Sequence, residues 1–160
     1  DERFGFPLFL PSEEIYQQGK PAKDKATLVG YCMVLRSLLG NFDSKITELE
    51  FSKERAEELM PDIKELGGNI NKFHLMLLEK GVDVDHGIWG LRNINRIVSK
   101  LAHPDEEAGS ELSNILKEEK LSDHYQKDNW SVLHREILLK YKATLGKLID
   151  AISARQSALN

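Results

Sequence analysis

Arg92, Arg96, Lys100 and His103 recur at steps of four, four and three, in a stretch with no acidic residue between His86 and His103. On a helix this spacing sets all four on one side. No other part of the chain concentrates basic residues in this way. The chemistry such a stripe offers is anion recognition, of phosphate or of a partner's carboxylates. The residues that follow oppose it, with Asp105, Glu106, Glu107, Glu111, Glu118 and Glu119 set against a single Lys117. Two helices joined at Pro104 are expected to fold back antiparallel and to pair these charges. Exposed pairs of this kind contribute only ~0–1 kcal/mol each, yet they cancel the field an anionic ligand needs.

The run from Arg96 to His103 and Pro104 resembles the Arg-x4–6-His motif of the HEPN superfamily. Those are all-α domains, many of them metal-independent ribonucleases that act as dimers. The resemblance implies that Arg96 binds phosphate and that His103 assists attack of a ribose 2′-hydroxyl. A spacing of seven returns both side chains to one helix face, which permits that geometry. The resemblance is confined to this helix. Ile97 follows the arginine where the family commonly has Asn or Asp.

Other constellations point away from chemistry. Asp83, Asp85 and His86 are rich in ligand atoms but lack the glycine position and the closing Glu of a calcium loop, so Asp85 reads as a helix cap. His74 has no Glu-x-x-His partner, and there is no phosphate-cradling glycine loop and no Ser-His-Asp signature. No cofactor and no metal site are therefore expected. Cys32, the only cysteine, sits among Tyr31, Met33, Val34 and Leu35 and reads as a small buried hydrophobe in a reducing compartment. Asn129, Trp130 and Ser131 match a glycosylation acceptor, a tripeptide that carries little weight without evidence of secretion.

The elements that must position these residues are helical. From Ala56 to Leu77 apolar residues fall at Ala56, Leu59, Ile63, Leu66, Ile70, Phe73 and Leu77, a heptad seam that asks for burial against another helix. Pro61 and Gly67-Gly68 lie within it, and a kink or break is expected there. Ser52 reads as the N-cap before the seam and Gly81 as the C′ residue after it. A first helix is expected from about Asp24, with apolar residues on most sides and hence well buried. It ends near Gly40-Asn41 or, since Phe42, Ile46 and Leu49 keep the phase, continues with a kink to about Glu50. Later helices are expected over 85–103, with Ile88, Leu91, Ile94, Val98 and Leu101 inward, and over 105–119, with Leu112, Ile115 and Leu116 inward. Residues 120–128 read as a loop. The last helix carries Trp130, Leu133, Ile137, Tyr141, Leu145, Leu148 and Ile152 on one face.

Residues 1–22 read as an extended apolar arm with a possible short helix, and 23–160 as the helical domain. Phe4, Phe6, Phe9 and Leu10 make the arm a candidate strap or self-association element. The chain starts at Asp1 without Met and is expected to be processed or excised from something longer. With 160 residues, 41% hydrophobic and 30% charged, the sequence fits one globular domain. A net charge of −4 and a pI near 5.8 give no global attraction to nucleic acid or anionic membrane.

The expected fold is all-α, a single antiparallel bundle of about five helices. The expected function is a non-enzymatic interaction or assembly domain that binds a protein partner or a second copy of itself inside the cell, in the cytoplasm. Its alternative is a HEPN-like RNA-cleaving or RNA-binding domain using Arg96 and His103. The seam generates the first test. Phe73→Ala should cost ~3–5 kcal/mol in denaturant unfolding, and a loss below about 1 kcal/mol would remove Phe73 from the core.

Overall fold

The computed structural model describes residues 20–61, 68–82, 84–102 and 106–157. The expected arm, with Phe4, Phe6, Phe9 and Leu10, lies outside the described residues apart from positions 20–22, as do Ile63, Leu66 and His103. Among the described residues the fold is all-α, with eight helices. They are α1 (Lys25–Gly40), α2 (Ser44–Thr47), α3 (Lys53–Leu59), α4 (Asn69–Glu79), α5 (Asp85–Ala102), α6 (Glu106–Glu118), α7 (Ser122–Gln126) and α8 (Trp130–Ser157). The count exceeds the expected five because the seam breaks into α3 and α4, and because α2 and α7 are additional. No helix of the described chain is long and apolar enough to cross a membrane.

Residue contacts divide the chain into two compact units, one holding residues 40–89 and 144–157 and the other residues 20–39 and 90–143. In the first, α2 and α3 both pack on α4. Each begins at a side-chain cap: Asp43 accepts a hydrogen bond from the Lys45 amide at 2.9 Å, and Ser52 Oγ accepts one from the Arg55 amide at 3.2 Å. Ala56, Phe73 and Leu77 of the seam are buried while Leu59 and Ile70 are half-buried. The stripe is thus folded onto itself through α3 and α4, and Phe73 also meets Phe42 with ring centroids 5.2 Å apart. Lys72 Nζ donates to the Thr47 carbonyl, and Asn69 Nδ2 donates to the Gly40 carbonyl at 3.0 Å.

In the second unit Asp24 caps α1, accepting from the Thr27 amide at 2.7 Å. That backbone bond is the main reason its carboxyl is held below the ordinary Asp range. Leu28, Cys32, Leu35, Leu38 and Leu39 of α1 are buried. The helix is not buried all round, however. Ala26, Gly30, Met33 and Ser37, at steps of four, three and four, face solvent. The many apolar residues between Leu28 and Leu39 mask this side, because three of its four positions are small residues with little apolar surface to hide.

Three helices end by one device. The residue after the cap takes a positive φ, 68° at Gly81, 60° at Lys120 and 55° at Asp128. The next amide then reaches back to the third-last helical carbonyl: Val82 to Leu77 at 3.0 Å, Leu121 to Leu116 at 2.7 Å, and Asn129 to His124 at 2.9 Å. Gly81 was expected; the other two are not glycines. Their polar neighbourhood read as a loop, and α7 lies between them.

Gly87 marks a close approach of α5 to α8 in the first unit. A β-carbon there would lie 2.7 Å from Leu148 Cδ2 and 2.9 Å from its Cγ, whereas at Gly146 nothing lies within 4 Å. Alanine gains about 1 kcal/mol of helix propensity at either site, but at residue 87 overpacking costs ~1–3 kcal/mol. Gly146→Ala should therefore raise the unfolding midpoint and Gly87→Ala should lower it. Equal stabilisation by both would show that α5 and α8 do not meet at this point.

Candidate functional site

The basic stripe lies on α5 and its acidic counterpart on α6, both within the second unit. Arg96 Nη2 contacts Glu111 Oε1 at 2.9 Å, and Lys100 Nζ contacts the other oxygen, Oε2, at 2.9 Å. Seven residues back along α5 from Lys100, Asn93 Nδ2 donates to Glu119 Oε1 at 2.8 Å. Contacts that run down α5 as they run up α6 make the two helices antiparallel. The reason is the pattern of inward residues: Leu91, Ile94, Ile97, Val98 and Leu101 on α5, and Leu112, Ile115 and Leu116 on α6, are all buried.

Glu111 bridges two cations with one carboxylate, an arrangement of charge-assisted hydrogen bonds. Lys100 first, and then Arg96, hold its carboxyl below the ordinary Glu range, so it is ionised at neutral pH. Arg92 is half-buried one turn before Arg96, and it too has an interaction partner. His103 lies outside the described residues, so of the expected catalytic pair only Arg96 is placed, and Arg96 is engaged by Glu111.

A second carboxylate makes a deeper junction. Glu119 takes the Asn93 amide on one oxygen and Lys140 Nζ of α8, at 2.9 Å, on the other. Burial pushes its carboxyl up, but the hydrogen bonds from Lys140 and Asn93 outweigh that and hold it low. Asn93 is buried on the inward side of α5, where an unsatisfied amide would cost about 1–3 kcal/mol. This junction has no periodic signature in the sequence. The only hint is an Asn placed between Leu91 and Ile94.

The stack of Tyr31 on His134 likewise escaped sequence reading. The rings lie 4.7 Å apart, and burial lowers the His134 pKa. Cys32 beside it is buried, and loss of solvation pushes its thiol up to about 12, which leaves a neutral, unreactive sulfur. Among the described residues no group of three or more His, Cys, Asp or Glu is disposed to hold a metal ion. What this surface offers chemically is ion pairing. Compared with family models, curated protein sequences and solved structures, the chain gives no match.

Of the four depressed groups, His134 and Glu119 are the most enclosed and define a pH dependence. A folded-state pKa below the unfolded one contributes stability above the unfolded value and loses it as pH falls. For His134 the loss begins near the ordinary value of 6.5, and for Glu119 near 4.5. Melting temperature should thus fall in two stages on acidification. His134→Phe should flatten the upper stage and Glu119→Gln the lower one. A parent profile level between pH 7 and 5 would show that protonating His134 carries no penalty.

Proposed function

We propose that the chain is a non-enzymatic helical interaction or assembly domain. The observation that carries this reading is the solvent side of α1. Ala26, Gly30, Met33 and Ser37 form an exposed, uncharged row at heptad spacing, with Met33 53% exposed. A surface helix ordinarily carries charged or long polar residues on such a face. Gly30, in the helix interior, forgoes about 1 kcal/mol relative to alanine. Among the described residues nothing lies within 4 Å of the place its β-carbon would take, so their packing does not call for a glycine there. A flat row of small residues suits close approach by another helix.

The occupant in this reading is a protein partner or a second copy, met inside the cell, with Phe4, Phe6, Phe9 and Leu10 available for self-association. The sequence-level architecture of one antiparallel bundle with an apolar arm belongs to the same proposal. A HEPN-like RNA-cleaving role for Arg96 and His103 is the alternative. The hold of Glu111 on Arg96 counts against it.

Gly30→Leu supplies the test, because leucine has room in the isolated chain and a better helix propensity. The variant should melt no lower than the parent. It should also lose self-association in sedimentation, or lose the partner that the parent retains in affinity capture. Association unchanged by Gly30→Leu would overturn the assignment of this face. Cleavage of single-stranded RNA by the parent without metal, abolished by Arg96→Ala or His103→Ala, would replace the proposal by its alternative.

A further inference from the structure

The chain carries three methionines, and the fold treats their thioethers differently. Met76 on α4 is 6% exposed, and Met60 at the end of α3 is half-buried. Met33, in the middle of α1, is 53% exposed. Exposure decides how fast a thioether is oxidised, because the oxidant has to touch the sulfur. The residues one turn to either side on the α1 row give Met33 little shelter. Gly30 has no side chain, and Ala26 and Ser37 are small, exposed and uncharged. Among the described residues nothing lies within 4 Å of where a β-carbon on Gly30 would stand. Met33 is thus the one large side chain of the row and stands near its centre.

We infer that Met33 is a site of reversible oxidation, at which a peroxide converts the thioether to a sulfoxide and switches off the α1 face. The inference rests on the α1 reading and adds its regulation. With hydrogen peroxide, a sulfur lone pair attacks one peroxide oxygen, and an S–O bond forms as the O–O bond breaks. Sulfur gives up two electrons and the peroxide takes them. The proton on the transferred oxygen passes to the departing hydroxide, which leaves as water. The product is polar and chiral where the thioether was apolar and pliable. Its oxygen is a hydrogen-bond acceptor that the free chain leaves in water and that a helix closing on this row would bury. The penalty therefore falls on association and not on the folded chain.

In the test, the full chain is treated while dilute with excess hydrogen peroxide, quenched with free methionine and read by peptide mass spectrometry. Met33 should gain one oxygen about tenfold or more faster than Met76. Association is then measured by sedimentation, or by capture of the partner that the parent retains. The oxidised parent should associate about tenfold or more weakly, the scale of one buried acceptor without a donor. Its melting midpoint should stay within about 2 °C of the reduced chain, as for an exposed substitution. Methionine sulfoxide reductases of both stereospecificities should restore association. Met33→Leu should keep its association through the same treatment, and Met60→Leu should lose it as the parent does. Oxidation of Met33 no faster than that of Met76 would overturn the inference. So would association that survives conversion of Met33, an equal loss in oxidised Met33→Leu, or a melting midpoint that falls along with association. Gly30→Leu reports on the α1 face by itself: association that it abolishes keeps that reading whatever peroxide does, and association that it leaves intact brings down both.

Discussion

A helix that stops leaves its last carbonyls without partners, and in this chain the way three helices stop governs where the next ones begin. At Gly81, Lys120 and Asp128 the backbone turns left-handed, and the following amide closes on a carbonyl five residues earlier. Each closure is followed within three residues by the next helix, so there is little slack between α4 and α5, α6 and α7, or α7 and α8. Lys120 holds a conformation that costs a residue with a β-carbon about 1–2 kcal/mol. It is kept there by Leu121, which is buried immediately after it. At Gly81 the Arg155 guanidinium fills the space over the turn, with Nη2 3.0 Å from where a β-carbon would stand.

Helices with a strong apolar period were legible in the sequence. The faces of α6 and α8, the Ser52 cap and the Gly81 stop depend on local spacing and on residue types with one dominant use. What the sequence hid was hidden for physical reasons. Lysine and aspartate at positive φ carry no glycine signature, so the stops at Lys120 and Asp128 were invisible and α7 was read as loop. Hydropathy counted around α1 could not separate a buried Leu35 from an exposed Met33, because both are apolar and only packing tells them apart. The seam kept its phase across Pro61 and Gly68, yet phase does not reveal that two short helices fold back on each other.

The candidate site divides in the same way. Opposite charges on consecutive helices announced the pairing of Arg96 and Lys100 with α6, though which glutamate would serve was not readable, since Glu107 and Glu111 are both within reach by spacing. The junction of Asn93, Glu119 and Lys140 depends on three segments distant in sequence. No local pattern encodes it. The Tyr31–His134 contact is of the same kind, its partners lying 103 positions apart.

The close approach at Gly87 also bears on the order in which the molecule can be made. Residue 87 and Leu148 belong to the unit formed by residues 40–89 and 144–157, so that unit is interrupted by a stretch of 54 residues. On a ribosome the first part emerges long before the second, and at ~5–20 residues per second several seconds pass between them. During that interval the face of α5 at Gly87 has no Leu148 to pack against it. The other unit is complete once residue 143 has emerged. Vectorial synthesis thus favours residues 20–39 and 90–143 as the part that matures first, and leaves the earlier-made α2, α3 and α4 waiting on residues 144–157.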